Sequence, residues 1–186
     1  MKGNDGGRSM EKTLEQRMRE TIRSIPDFPK EGILFRDITP LLLQPDLFAE
    51  MIDALWEPFA SARVDGIAGI ESRGFLLGAA LALRRRLPLV PLRKPGKLPA
   101  ALFRETYDLE YGQDALEMHK DGVAAGQRIL LVDDLLATGG TAGAAARLIR
   151  KGGAQVAGIA FLVELKGLAG RSRLGDDQIH VLLAYD

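Results

Sequence analysis

The chain has 186 residues, with 25 basic side chains balanced by 25 acidic ones, so it lacks the basic excess that usually marks bulk nucleic-acid binding. It has no cysteine, which excludes disulfides, thiolate metal sites and a cysteine nucleophile. Its longest nearly unbroken apolar run, Phe75 to Leu83, is nine residues, whereas a membrane-spanning helix needs about 20.

The chain opens with residues 1–9, rich in glycine and poor in apolar side chains. They read as a flexible tail without the apolar stretch of a signal peptide. Met10, Leu14, Met18 and Ile22 then recur every four residues, which predicts an amphipathic helix with Ser9 as its N-cap. Pro26 and Pro29 end it. Pro45-Asp46 opens a second helix, whose apolar stripe runs through Leu47, Phe48, Met51, Ile52, Leu55, Trp56 and Phe59.

From Val64 the pattern alternates. Val64 to Ile70 reads as a strand, Gly74 to Arg85 as a helix, and Leu89 to Leu92 as a strand. Ile129 to Val132 is a strand and about Thr141 to Lys151 a helix; Gln155 to Val163 and Ile179 to Ala184 follow as strands. Short apolar strands separated by helices predict a parallel sheet of about five strands covered on both faces. One segment, Arg93 to Gln127, interrupts the alternation. In it Tyr107, Leu109 and Tyr111, then Leu116 and Met118, alternate with polar residues around Gly112-Gln113-Asp114, a hairpin pattern. A long excursion of this kind more often forms a lid or binding loop than a spacer.

The most informative stretch is Ile129 to Thr141. A buried strand meets two adjacent carboxylates, Asp133 and Asp134, then the small residues Ala137, Thr138, Gly139 and Gly140, then a helix starting near Thr141. Glycine lets backbone amides approach a ligand, and the helix start adds unpaired N–H groups and a positive dipole end. These features describe a phosphate cradle at the carboxyl end of a parallel strand. No lysine follows the glycines and GxGxxG is absent, so it is neither a P-loop nor a dinucleotide fingerprint. The carboxylates suit the neighbouring hydroxyls of a sugar. Phosphate and vicinal diol together point to a phosphorylated ribose; the plain alternative is a capped helix with two solvent-facing aspartates.

Val132 to Thr141 matches the phosphoribosyl pyrophosphate signature of the type I phosphoribosyltransferases, in the form resembling the adenine-using members. The resemblance extends over about Met18 to Asp186. It implies an α/β fold: a mostly parallel twisted sheet flanked by helices, with a small amino-terminal hood at about residues 26–40 and a hairpin lid at about 95–120, in a single domain over residues 10–186. It also implies a reaction, adenine plus phosphoribosyl pyrophosphate giving AMP plus pyrophosphate, in cytoplasmic purine salvage. The partners would be these small molecules and a second copy of the chain in a homodimer, with neither nucleic acid nor membrane.

By the same resemblance, Asp133 and Asp134 hold the ribose hydroxyls and Ala137, Thr138, Gly139, Gly140 and Thr141 wrap the 5′-phosphate. Glu71, Ser72 and Arg73, at a second strand-to-helix turn, would meet pyrophosphate, with a non-proline cis peptide near Glu71-Ser72; some members carry aspartate at the position of Glu71. Read without the resemblance, this turn follows a strand and starts a helix, which makes it a second anion-binding turn with an arginine able to grip phosphate bidentately; the plain alternative is an ordinary strand-to-helix connection. Arg93, Lys94 and Lys97 become counter-charges for the diphosphate, in their own site or a neighbouring subunit's. Phe35 would stack on the purine while backbone at Leu34 and Arg36 reads its edge; packing alone would equally explain a buried Phe35. Glu110, which pattern alone leaves solvent-facing, would act as acid or base at a purine nitrogen, and with Arg73 it completes the expected catalytic pair. Mg²⁺ is implied as cofactor, held mainly by substrate oxygens and water with no direct protein ligand. His119 and His180 read as strand residues. Another nucleobase, or a non-catalytic sensor of phosphoribosyl pyrophosphate, are the alternatives; the Phe28 to Pro40 segment and Glu110 favour adenine.

Overall fold

The computed structural model describes residues 12–108 and 112–186. The expected tail, the Ser9 cap and the lid residues Leu109, Glu110 and Tyr111 lie outside the described residues. Contacts divide the chain into two compact units, Met1–Met51 and Ile52–Asp186.

In the first unit, helix α1 spans Leu14–Thr21, starting later than the Met10 spacing predicts. Thr13 decides the start: its Oγ1 accepts from the Gln16 N–H at 3.2 Å, and the Gln16 Oε1 accepts from the Thr13 N–H at 3.0 Å. This reciprocal capping box satisfies two donors that a helix otherwise leaves open. The segment read as a loop is bracketed by two short strands, β1 (Arg23–Ile25) and β2 (Phe35–Asp37), paired antiparallel with Ser24 opposite Arg36. Between them the Phe28–Pro29 peptide is cis, and Asp27 Oδ1 accepts from the Gly32 N–H at 2.8 Å. A short helix α2 (Thr39–Leu42) leads to α3 (Pro45–Trp56), which starts at the predicted proline.

The second unit is built on a parallel five-stranded sheet, as the alternating pattern predicts. Its members are β3 (Gly66–Ile70), β4 (Leu89–Leu92), β7 (Arg128–Leu136), β8 (Gln155–Leu165) and β9 (Ile179–Tyr185), in the order β4-β3-β7-β8-β9. Helix α4 (Arg73–Arg85) links β3 to β4, and α5 (Gly140–Lys151) links β7 to β8. These two connections run in opposite directions across the sheet. Since such crossovers are right-handed, α4 and α5 lie on opposite faces. The core carries Ile70, Leu131, Leu148, Ile159 and Phe161, each buried.

β7 is longer than its apolar run suggests. The ladder with β8 continues past the two carboxylates, pairing Asp133 with Phe161, Leu135 with Val163 and Leu136 with Glu164. Asp133 and Asp134 are therefore strand residues, and the turn itself is confined to Ala137–Gly139. The interrupting segment forms a hairpin, β5 (Leu102–Asp108) against β6 (Gln113–His119), in register from Leu102–His119 to Asp108–Gln113; Gln113 and Asp114, read as part of its turn, are strand residues because the ladder claims their backbone. It lies along α5, where Lys151 Nζ donates to the Arg104 carbonyl at 2.9 Å and pairs with Glu105 at 2.8 Å.

Candidate active site at the centre of the sheet

Strands β3 and β7 are neighbours, and their onward connections leave in opposite directions. Such a switch point opens a crevice at the strands' carboxyl ends, where open α/β sheets bind ligands. Both turns singled out in the sequence sit there. β3 passes into Glu71, Ser72 and Arg73; the Glu71–Ser72 peptide is cis, as the resemblance implies, and Arg73 begins α4. β7 passes into Ala137–Gly139 and then α5. Gly139 holds φ at 78° as the N-cap of α5, with no side-chain cap hydrogen bond. A left-handed φ favours glycine, because a Cβ there crowds the carbonyl. The α5 amides are thus left open to a ligand. Asp133, Ala137, Thr138, Gly139, Gly140 and Thr141 line a hollow of about 80 Å³ at this turn. A larger one of about 270 Å³ lies between the hairpin and α5, lined by Tyr107, Gln113, Gly140, Gly143, Arg147 and Arg173 among others.

The two turns touch. Arg73 NH2 lies 2.9 Å from Asp134 Oδ2, and the Asp134 N–H donates to Asp133 Oδ1 at 2.9 Å. Burial pushes the Asp133 carboxyl well above the usual carboxylate range, and the Asp134 charge adds to the rise. Burial also raises Asp134, while Arg73 pulls it back. Burial thus disfavours charge on both carboxyls, and Arg73 meets the Asp134 charge with an ion pair. Gly74 makes the juncture fit: a Cβ there would lie 2.7 Å from Asp133 Oδ1 and 2.9 Å from the Val132 carbonyl.

The expected counter-charges have protein partners. Arg93 Nε and NH2 donate to the two Glu71 oxygens at 3.2 and 3.3 Å, and the Lys94 N–H donates to Glu71 at 2.9 Å. The Arg93 hydrogen bond, then the Lys94 amide, hold the Glu71 carboxyl below its ordinary range against burial. Lys94 Nζ donates to Tyr107 OH at 2.6 Å and pairs with Asp114, so it spans both hairpin strands. Burial alone would lower its pKa; the bonds to Asp114 and Tyr107 raise it overall. Lys97 is exposed. Sequence reasoning missed the groups that organise this segment: Tyr107, Asp114, and buried Glu117, whose Oε2 accepts from the Gly96 N–H at 2.9 Å. These partners follow from strand register, and no local motif marks them.

In the first unit, Phe35 is half-buried in β2, its ring edge-to-face with Phe28 at 5.1 Å. Leu34 is exposed, and Arg36 donates to Ser24 Oγ. The structure thus joins Arg73 to Asp134, and Glu71 to Arg93 and Lys94. Glu110 lies outside the described residues.

Comparison with known proteins adds an independent line. The phosphoribosyl transferase domain family matches residues 40–182. The chain is 53% identical to the adenine phosphoribosyltransferase of Solibacter usitatus, over 91% of this chain and 98% of that one. Its fold is similar to the crystal structure of adenine phosphoribosyltransferase from Thermoanaerobacter pseudethanolicus, with a TM-score of 0.90 and 50% identity over 93% of this chain and all of that one (100%). It is also similar to the Saccharomyces cerevisiae enzyme complexed with adenine and an imino-altritol bisphosphate, with a TM-score of 0.87 and 42% identity, covering 91% of this chain and 98% of that one.

Proposed function

The chain belongs to the phosphoribosyltransferase family and within it groups with the adenine phosphoribosyltransferases, and from that premise we propose how its residues carry the transfer. The reaction moves the 5-phosphoribosyl group from phosphoribosyl pyrophosphate to adenine. The bond from C1′ to the diphosphate oxygen breaks and its electron pair leaves with pyrophosphate. A bond from adenine nitrogen to C1′ forms, and that nitrogen releases a proton.

The observation that carries this reading is the pairing of Arg73 with Asp134 at the switch point, beside an open helix N-terminus. A carboxylate pair next to a phosphate cradle would repel a polyanion. Here burial disfavours charge on Asp133, and a guanidinium is paired with Asp134, which limits the negative charge on the diol-binding face. Asp133 and Asp134 take the ribose hydroxyls, and Ala137 to Thr141 take the 5′-phosphate through backbone N–H groups and the Thr138 and Thr141 hydroxyls. Glu71, Ser72 and Arg73 form the diphosphate wall. Arg73, held by Asp134, turns its remaining N–H groups to the diphosphate, and Arg93, Lys94 and Lys97 supply further positive charge to the leaving group. Phe35 stacks on adenine, with backbone at Leu34 and Arg36 reading its edge, and Glu110 manages the proton at the purine ring.

Asp133 and Asp134, the carboxylates of the crevice, are engaged by the Asp134 N–H and by Arg73, so Mg²⁺ would be held mainly by diphosphate oxygens and water. When bound, Mg²⁺ neutralises charge on the departing diphosphate. We place the enzyme in cytoplasmic purine salvage as a homodimer, a reading supported by its family.

The test is steady-state turnover of purified protein with phosphoribosyl pyrophosphate, Mg²⁺ and each nucleobase in turn. AMP forms from adenine with the highest kcat/KM. Turnover of guanine or hypoxanthine in its place refutes the specificity, and binding of phosphoribosyl pyrophosphate without turnover of any base refutes the enzyme.

A further inference from the structure

We propose that Gly170 is a positioning residue for the Ala137–Gly139 turn, acting as a fixed backbone brace behind the phosphate cradle. The inference rests on the reading that this turn binds the 5′-phosphate. The turn has little to hold it from its own side chains, since Gly139 caps α5 without a side-chain hydrogen bond. Its support comes from elsewhere in the chain. Strand β8 runs on to Leu165, and two 3₁₀ turns, Lys166–Leu168 and Gly170–Arg173, bring the chain back. Gly170 is buried there.

The contact is backbone on backbone from both sides. A Cβ on Gly170 would lie 2.2 Å from the Ala137 carbonyl oxygen and 2.8 Å from Leu136 Cδ1, and a Cβ on Gly139 would lie 2.2 Å from the Gly170 carbonyl oxygen. No side chain fits between them, and neither backbone can yield as a flexible side chain would. Gly170 is not among the glycines with a left-handed φ, so its backbone angles do not themselves require glycine. The requirement is the space alone.

The brace is pinned at its base. Arg171 Nε and NH2 donate to the two oxygens of Glu164 at 2.8 Å each. Glu164 is buried and stands opposite Leu136 in the β7–β8 register, one residue before the turn begins. Leu174 anchors the far end in the core. The segment is thus tied to the same strand pair whose end it supports, which fixes where the turn's amides point. Gly170 touches no reacting atom, so its effect passes through Ala137 and Gly139.

Gly170→Ala tests this, with Gly167→Ala as control, because a Cβ at Gly167 meets nothing within 4 Å. Relieving a 2.2 Å contact moves the turn by about 1 Å, a displacement that costs up to ~100-fold where positioning matters. Gly170→Ala therefore raises KM for phosphoribosyl pyrophosphate about tenfold or more and weakens calorimetric binding of ribose 5-phosphate in parallel. KM for adenine changes little, and Gly167→Ala matches the parent. Arg171→Lys keeps the charge but loses the two-pronged grip and gives a smaller rise in the same constant. Unchanged ribose 5-phosphate binding in Gly170→Ala overturns the inference. So does an equal rise in both KM values, or loss of the fold in both variants, since either marks a general structural role. Absence of turnover in the parent would refute the enzymatic reading alone, while ribose 5-phosphate binding would still decide the role of Gly170.

Discussion

Replacing Gly74 by alanine sets two physical effects against each other at the centre of the site. Gly74 is the second residue of α4, and alanine in a helix is favoured over glycine by up to ~1 kcal/mol. Against this, the new Cβ would sit 2.7 Å from Asp133 Oδ1, 2.9 Å from the Val132 oxygen and 3.2 Å from Asp133 Cα. Two of the three are β7 backbone atoms, which cannot swing aside. Ordinary contact distances exceed these by about half an ångström or more, and overpacking of this kind costs ~1–3 kcal/mol. The steric term wins, leaving a net loss of ~0–2 kcal/mol, or up to about 8 °C in Tm at ~2–4 °C per kcal/mol for a chain of this size.

The functional cost is larger, because the displaced group is the Asp133 carboxyl and its neighbour Asp134. Asp134 is ion-paired with Arg73, and a hydrogen bond to a charged group contributes ~1.5–3 kcal/mol, so on the proposed reading losing its ribose contact raises KM for phosphoribosyl pyrophosphate by about 10–100-fold. Thermal unfolding and steady-state kinetics on the purified variant measure both quantities. A higher Tm with an unchanged KM would refute the argument, because helix propensity would then have prevailed and the close approach of α4 to β7 would not matter.

Two further outcomes follow from the electrostatics. The Asp133 carboxyl is raised in the folded protein, so the stability it contributes is present below the unfolded-state value of about 3.9 and falls as pH rises through the folded one. Asp133→Asn removes that loss: its Tm advantage over the parent grows from pH 4 to pH 7, while binding of phosphoribosyl pyrophosphate weakens, and a difference independent of pH would contradict the burial argument. Lys94→Met cuts the link from the segment after β4 to Tyr107 and Asp114; limited proteolysis within 102–119 quickens and KM for phosphoribosyl pyrophosphate rises severalfold, whereas parent-like behaviour in both would remove Lys94 from either role.

Much of this molecule is written locally. The periodicities of the alternating region, the hairpin around Gly112 and the step from buried strand to Thr138-Gly139-Gly140 are legible because each depends on neighbours a few residues apart. Element ends are less so. α1 starts at Leu14 because a capping box forms at Thr13, and a rule extending the apolar spacing to Met10 overlooks that competition. β7 outruns its apolar run because β8 supplies hydrogen-bond partners as far as Leu136, and a ladder partner 28 residues away leaves no mark on the strand itself.

By itself, then, the sequence determined the fold class through its alternating pattern, set the carboxylate pair and the small-residue turn at one strand-to-helix step, and carried the family resemblance that implies the reaction. Tertiary structure alone decided how the pieces meet: Arg73 against Asp134, Glu71 holding Arg93, Lys94 tied to the hairpin, and Gly170 pressed against the turn it supports. The physical reason is the same in each case. Charge pairing and close packing depend on distance through space, and only strand order and register bring residues far apart in the chain to within a hydrogen bond of one another.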